Sequence, residues 1–260
     1  DAILCFGEEW KEYPLTTSAC YIQDRIGARR AWGIDVQNRC CTTVSAMKLA
    51  KDILLADDEC NTILVAGGYR NCDFIDFTDS GVSFMFNLGA GGGALILKKG
   101  YEKNQLLGTH IMSDGSVVHT CGSKVGGIVE PVTAENVSEF GMLRLMDSPK
   151  MKGMLNSTSM PNWYHCIDEA LRKSGMTRKD IGYLDILHIK RSGHKAMLAD
   201  LGLTEDQTIY LEDYGHIGQV DQILSLKLAL EQGKVKDGTV ISMIAAGIGY
   251  TWAANVIKWG

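Results

Sequence analysis

The chain lacks the features that mark nucleic-acid-binding and membrane proteins. Its 26 Lys and Arg are outnumbered by 31 Asp and Glu, and the formal net charge of -5 argues against a clustered basic face for phosphate. The apolar runs are all shorter than a membrane span needs, and the first residues lack the charged and then apolar order of a signal peptide. We therefore expect a cytoplasmic protein that binds neither nucleic acid nor membrane.

Cysteine is plentiful, but it lacks the paired spacing of a metal site. None of the eight cysteines forms a CxxC pair, so we expect no bound metal. A disulfide framework is not expected in a chain of this length with cytosolic character. The thiols in apolar stretches are predicted to be buried packing residues: Cys5, Cys20 and Cys166.

Strand-like and helix-like segments alternate along the chain without a linker, and only four prolines interrupt them. This alternation predicts an α/β protein with a largely parallel sheet. Helix, strand, glycine turn and strand follow one another from Cys40 to Lys98, and again from His216 to Trp259. The repeat predicts two similar halves, residues 1–145 and residues 146–260. It also makes Cys40 and His216 equivalent positions. The N-termini of the helices that follow them are therefore expected to point toward one central site.

Cys40 lies where an apolar strand passes through a polar turn into a helix, which is predicted from about Cys41 to Ala56. A thiol at a helix N-terminus feels the positive end of the helix dipole, which favours the thiolate. A buried, unreactive cysteine is the alternative, and the residues by themselves leave both open.

Two histidines and a glycine turn are further candidates. His188 closes a predicted strand, Tyr183–Ile189, and the carboxyl ends of such strands face the ligand crevice in open α/β sheets. His216 lies in a glycine-flanked turn before a helix predicted from about Ile217 to Gln232. A core histidine and a loop histidine are the respective alternatives. A turn between two later strands offers backbone amides to an oxyanion: Gly247, Ile248 and Gly249.

Five motifs follow one another along the chain: Asp35-Val36-x-x-x-Cys40, the glycine segment Phe86 to Gly91, the strand-terminal His188, the turn Gly215-His216 and the stretch Gly247 to Trp252. In this order they resemble the β-ketoacyl synthase III branch of the thiolase superfamily, and the likeness covers nearly the whole chain. It implies a thiolase fold, in which two pseudo-symmetric βαβαβ halves form αβαβα layers, here with an incomplete N-terminal half.

The resemblance implies an acyltransferase of fatty acid or polyketide biosynthesis that performs a Claisen condensation. Cys40 would take an acyl group from acyl-CoA or an acyl carrier protein, with the backbone amides of Cys40 and Ile248 around the oxyanion. His188 and His216 would stabilise the enolate of the second thioester. The resemblance also implies a homodimer, and no cofactor besides the thioester substrates.

Some positions depart from the family pattern. His216 replaces an asparagine, which makes the site Cys-His-His, as in chain-elongating synthases. Lys190 and Arg191 follow His188 in place of the family's residues and are candidates for substrate binding, and Leu88 replaces an aspartate. The substrate and the reaction partner are therefore left open.

Glu8 indicates a related condensation reaction as an alternative. Its spacing to Cys40 is similar to that of the catalytic glutamate in 3-hydroxy-3-methylglutaryl-CoA synthases, where it would act as acid and base. A solvated loop carboxylate is the alternative. Two other functions are left open: acyl transfer from Cys40 to an oxygen or nitrogen nucleophile, and a non-catalytic thiolase-like partner subunit.

The resemblance also concerns the start of the chain. Asp1 runs straight into an apolar strand, Ala2–Phe6, whereas the family begins well upstream of it. We therefore expect either a fragment or a protein in which a second polypeptide supplies the missing N-terminal elements.

Overall fold

The computed structural model describes residues 1–7, 11 and 13–260, so Glu8 lies outside the described residues. The strands are β1 (Ala2–Phe6), β2 (Trp32–Val36), β3 (Thr62–Tyr69), β4 (Gly91–Lys98), β5 (Gln105–Ser113), β6 (Cys121–Ser123), β7 (Leu143–Leu145), β8 (Tyr183–Ile186), β9 (Val240–Gly247) and β10 (Thr251–Lys258). The α-helices are α1 (Ser18–Arg25), α2 (Thr42–Ala56), α3 (Ser148–Met154), α4 (Met160–Lys173), α5 (Arg191–Leu201) and α6 (Asp221–Glu231).

The strands form two four-stranded sheets, in the orders β2-β1-β3-β4 and β5-β10-β9-β8, and a small β6-β7 pair. In the first sheet β1 is parallel to β2 and β3, whereas β3 and β4 are antiparallel. In the second sheet only β8 and β9 are parallel. The prediction of a largely parallel sheet is therefore confirmed for the first sheet and wrong for the second. Parallel neighbours need a crossover connection, usually an α-helix, and no α-helix separates β3 from β4 or β9 from β10. Both of these pairs are antiparallel.

The helices form layers around the two sheets. α2 contacts strands of both sheets, and α6 contacts β8 of one sheet and β4 of the other. α1 packs on β1 and β2, and α4 packs on β5 and β10. The layers therefore follow the order α1, first sheet, α2 with α6, second sheet, α4. Helices cover both faces of each sheet and bury its apolar side chains.

The predicted repeat of helix, strand and strand is present as α2-β3-β4 and α6-β9-β10. A short 3₁₀ turn precedes each of these helices, Arg39–Cys41 before α2 and Gly218–Val220 before α6. The helices themselves therefore begin at Thr42 and Asp221, slightly later than the sequence predicts.

The strand β5 belongs to the second sheet, where it pairs with β10, although it precedes residue 145 in the chain. The division of the chain into residues 1–145 and 146–260 stays a prediction. All eight cysteines are free thiols. Cys5 and Cys166 are buried as predicted, whereas Cys20 is exposed, because it lies on the outer face of α1.

Within residues 1–7, 11 and 13–260, no helix is long and apolar enough to cross a membrane.

Candidate active site

Cys40 is the central residue of the 3₁₀ turn that precedes α2, and only 8% of the residue is exposed. The preceding residue, Arg39, has φ +50°, a left-handed conformation that residues with a Cβ rarely adopt. Such backbone conformations cost of order 1 kcal/mol and cluster at functional sites. The chain thus presents Cys40 at the N-terminus of a buried helix through a turn that local propensity does not favour.

Gly247, predicted in the glycine turn, is the last residue of β9, and the end of this strand passes directly over the turn that carries Cys40. A Cβ on Gly247 would lie 2.9 Å from the carbonyl oxygen of Asn38 and 3.2 Å from the amide nitrogen of Cys40. Only glycine allows the two backbones to approach so closely. Ile248 and Gly249 follow in the turn that leads to β10. That the amides of Cys40 and Ile248 bind an oxyanion stays a prediction.

His216 meets Cys40 across 176 residues of sequence: its Nε2 lies 3.2 Å from the Cys40 Sγ. The ring is buried, with 5% of the residue exposed. The backbone of His216 is fixed by the predicted glycine segment, since its amide donates to the Asn87 carbonyl over 2.8 Å and its carbonyl accepts from the Gly89 amide over 2.9 Å. Leu88, where the sequence departs from the family, forms the β-bridge to His216. The close approach of Cys40 and His216 that the repeat predicts is therefore present.

Asp221, the first residue of α6, is the functional candidate that sequence reasoning missed. Its Oδ2 accepts from His216 Nδ1 over 2.6 Å and from the His188 amide over 2.8 Å, and its Oδ1 accepts from the Ile217 amide over 2.6 Å. The carboxylate is fully buried. The available signal was an acidic residue in the first turn of an apolar helix, close behind a candidate histidine.

These contacts determine the charge of His216. Burial by itself lowers the pKa of the imidazole, but the Asp221 carboxylate and Cys40 oppose it and raise the pKa of His216 well above its usual value. The neighbouring thiol behaves differently. Burial, with a smaller contribution from Cys40, raises the pKa of Cys41 well above its usual value, and Cys41 donates to the Thr251 carbonyl over 3.3 Å. Cys41 is therefore held as a neutral thiol, which is a poor nucleophile.

His188 lies beyond the end of β8 at Ile186, so the predicted strand is shorter than expected. Its Nδ1 is buried and has no hydrogen-bond partner among the residues that the structure describes. Burial, assisted by His216 and opposed by Asp221, lowers the pKa of His188. A buried bare lone pair costs less than a buried unpaired N–H, which favours the neutral tautomer with its proton on Nε2.

Aromatic stacking extends from His188 toward the surface. The ring of Tyr210 lies 4.8 Å from that of His188, between centroids. The guanidinium of Arg191 lies 4.6 Å from the Tyr210 centroid, and it also pairs with Glu212 at 3.2 Å. Lys190 is exposed directly before α5. Arg191 thus lies against the ring that contacts His188, whereas Lys190 is exposed to solvent.

The Asp35 of the Asp-Val-x-x-x-Cys motif has a structural role. Its two carboxylate oxygens accept from the amides of Ser18 and Ala19, at 2.9 and 2.8 Å, and so bind the N-terminus of α1. A cavity of about 740 Å³ lies elsewhere, between α2, β4 and β5. Neither Cys40 nor the two histidines line this cavity, so it is separate from the candidate active site.

Two family models match the chain. The model described as 3-Oxoacyl-[acyl-carrier-protein (ACP)] synthase III matches residues 34–115, and the one for its C-terminal part matches residues 171–259. The first range contains Cys40, and the second contains His188, His216 and Asp221.

Known proteins are similar to nearly the whole chain. β-Ketoacyl-[acyl-carrier-protein] synthase III of Syntrophomonas wolfei is 27% identical over 262 residues, which cover 99% of this chain and 76% of that protein. The crystal structure of 3-oxoacyl-[acyl-carrier-protein] synthase III from Aquifex aeolicus VF5 has a TM-score of 0.81 at 20% identity, over 99% of this chain and 76% of that chain. A structure of Xanthomonas campestris OleA with bound lauric acid and lauroyl-CoA has a TM-score of 0.77 at 15% identity, over 99% of this chain and 75% of that chain. The layered α/β fold that the motifs imply is therefore confirmed.

Proposed function

Because this chain belongs to the thiolase superfamily, as an acyltransferase of the 3-oxoacyl-[acyl-carrier-protein] synthase III type, we propose that Cys40 carries an acyl group while a second thioester condenses onto it. The observation that supports this most directly is the 3.2 Å contact between Cys40 Sγ and His216 Nε2 at the start of α2. A nucleophile beside a base that a third group orients is the arrangement that covalent acyl transfer requires.

In the first half-reaction the sulfur of Cys40 attacks the carbonyl carbon of an acyl thioester. The C–S bond to the donor breaks, and the donor leaves as a thiolate. Backbone amides at Cys40 and Ile248 would bind the oxyanion of the tetrahedral intermediate, where Gly247 lets the two turns meet. The product is an acyl thioester on Cys40.

In the second half-reaction a malonyl-type thioester loses carbon dioxide, and its electron pair forms an enolate. The neutral His188, with its proton on Nε2 and its Nδ1 buried without a partner, would donate a hydrogen bond to the enolate oxygen. The enolate carbon then attacks the acyl group on Cys40, and the C–S bond to Cys40 breaks. The product is a β-ketoacyl thioester.

The proposed substrates are acyl-CoA and acyl-carrier-protein thioesters, and this chemistry needs no further cofactor. The lauroyl-CoA bound to the structurally similar OleA supports CoA thioesters as donors. We also propose a homodimer. Its support is the edge strand β2, where Trp32 and Ile34 are each 47% exposed. Sedimentation of the full chain tests the dimer.

A second candidate function is acyl transfer from Cys40 to an oxygen or nitrogen nucleophile. One observation favours it: Cys40, His216 and Asp221 form a continuous chain of contacts at 3.2 and 2.6 Å. The same order of nucleophile, imidazole and carboxylate serves acyl transfer to water and amines in other enzymes. Condensation on a ketone with Glu8 as the acid and base stays a prediction, since Glu8 lies outside the described residues.

The test begins with the intact-protein mass after mixing with a panel of acyl-CoAs. One acyl mass should be added, and Cys40→Ala should abolish the addition. Cys41→Ala is the matched control, because the adjacent thiol is held neutral and should not be needed. An adduct that peptide mass spectrometry locates on Cys41 or Cys72 would contradict the proposal. Supplying the acyl-enzyme with a malonyl thioester should then release carbon dioxide and a β-ketoacyl product, whereas an amine or alcohol acceptor should yield a product only if the second function is correct.

A further inference from the structure

Asp221 is the point where both catalytic histidines and the start of α6 meet. It accepts hydrogen bonds from the His216 ring, the His188 amide and the Ile217 amide, at 2.6, 2.8 and 2.6 Å. A fully buried carboxylate is retained only when such donors compensate for lost hydration. The backbone of one histidine and the ring of the other are therefore positioned by the same group.

We propose that Asp221 is a positioning residue that holds His216 as an imidazolium, ion-paired with a Cys40 thiolate, and that each turnover consumes and restores this pair. The inference rests on the proposed function and adds to it a division of roles between the histidines. His216 would act first on Cys40 and then, beside His188, on the enolate, whereas His188 would act only on the incoming thioester.

The geometry fixes one proton on the ring of His216 and leaves the other ring nitrogen facing the sulfur of Cys40. A carboxylate has no proton to donate, so the 2.6 Å contact requires the hydrogen on His216 Nδ1. The other ring nitrogen, Nε2, then faces the sulfur of Cys40 at 3.2 Å. A proton that moves from sulfur to Nε2 gives a positive ring between a thiolate and a carboxylate, both within hydrogen-bond distance. Charge-assisted hydrogen bonds on both sides stabilise that state in a buried site.

The catalytic cycle balances without any change in the protonation of His216. The Cys40 thiolate forms a C–S bond to the acyl carbon, and the donor thiol leaves as a thiolate with the electron pair. His216 keeps both protons, held by Asp221, and its Nε2–H becomes a donor to the enolate oxygen beside that of His188. When the enolate carbon bonds to the acyl carbon, the Cys40–acyl bond breaks and its electron pair returns to sulfur. The thiolate and imidazolium are restored.

Other titratable groups surround this pair from the neighbouring elements. Cys41 lies beside Cys40, Tyr69 of β3 lies 6.2 Å from the His216 ring, and Tyr250 precedes β10. Burial raises the pKa of Cys41 and of Tyr250, so both stay neutral. Asp185 of β8 is also fully buried, and burial raises its pKa well above the usual value, with Asp221 adding to the effect. His188, itself neutral, also lies nearby, and among residues 1–7, 11 and 13–260 Asp221 is the carboxylate that contacts the ring of His216.

The experiment measures the rate of iodoacetamide alkylation of Cys40, by peptide mass, as a function of pH in the full chain. Wild-type enzyme should react well below the pH at which an ordinary thiol ionises, because its thiolate is already formed. Asp221→Asn should move the profile to higher pH and lower the rate at about pH 6 by about tenfold or more. The matched control is Asp185→Asn, which replaces a neutral buried carboxyl by a neutral amide and should leave the profile in place.

The outcomes separate the inference from the proposed function. If the proposed function fails, wild-type enzyme forms no acyl adduct on Cys40 or yields no β-ketoacyl product. The inference alone is overturned if folded Asp221→Asn keeps the wild-type alkylation profile, or if Asp185→Asn shifts it equally. Should Asp221→Asn not fold, ring-¹⁵N histidine NMR of wild-type enzyme decides, with the His216 signals assigned by their loss in His216→Gln. Two protonated ring nitrogens at neutral pH support the ion pair, and a neutral ring overturns it.

Discussion

The ring of His216 donates a hydrogen bond to the carboxylate of Asp221 over 2.6 Å, and the two residues are five positions apart in the chain. A regular helix does not bring residues at this spacing onto one face. The contact depends on the 3₁₀ turn Gly218–Val220, in which Gly218 has φ +55° and packs against the ring of Tyr69. The candidate active site is thus held together by a turn that requires glycine.

We expect Gly218→Ala to destabilise the protein by about 2 kcal/mol or more, because it adds both a left-handed backbone penalty and a clash. A Cβ at Gly218 would lie 2.3 Å from Cε2 of Tyr69. Gly202→Ala is the control: Gly202 has φ +70° with nothing within 4 Å, so only the backbone penalty of about 1 kcal/mol applies. Urea unfolding measures both, and equal losses would contradict the packing role of Gly218.

Gly247→Ala should slow the acylation of Cys40 rather than simply lower stability. The added Cβ would contact the amide nitrogen of Cys40 at 3.2 Å and the carbonyl of Asn38 at 2.9 Å, and so displace the turn that carries the thiol. Loss of one oxyanion donor typically costs a factor of about 10² in rate. Gly127→Ala, with nothing within 4 Å, is the neutral control. Single-turnover acylation at an unchanged rate in Gly247→Ala would exclude an oxyanion role for this turn.

The two histidines should separate by half-reaction. His188→Gln should acylate normally and lose condensation by a factor of roughly 10², because one of the two donors to the enolate is removed while the contact of His216 with Cys40 is kept. His216→Gln should slow acylation as well, since Nε2 of His216 is the nitrogen that contacts Cys40. Burst and steady-state measurements with a malonyl thioester distinguish the two steps. If both variants lose only condensation, His216 has no role in activating the thiol.

His194 should make the protein less stable in mild acid. It is buried, and burial, with His188 and Arg191, lowers its pKa to about 4. Because the folded-state pKa lies below the unfolded value, protonation favours unfolding. Stability is therefore full above about pH 6.5 and falls toward pH 4, by up to about 3 kcal/mol. Urea unfolding at several pH values should show a weaker acid dependence in His194→Gln, and an unchanged dependence would assign the acid sensitivity to other groups.

Local sequence was sufficient for several parts of this protein. The strand Ala2–Phe6 has the predicted bounds, because a short, wholly apolar run can only be buried. The start of α2 behind Cys40 follows from apolar periodicity, and the repeated order of helix and strands placed His216 opposite the thiol. Each of these depends on patterns within a few turns of chain, or on a comparison of one half with the other.

Tertiary structure alone decided the rest. The role of Asp221 depends on a contact with the His188 amide, 33 residues away in sequence, which no periodicity records. Strand direction in the second sheet was mispredicted, because hydrophobic pattern reports burial and not the path of the connection between strands. The charge of His216 depends on two partners from different elements, Cys40 before α2 and Asp221 in α6. Sequence determined which side chains carry the chemistry, and packing determined which of them is ionised. The reason is that ionisation in a buried site depends on neighbouring groups, which only the folded chain brings within a few ångströms.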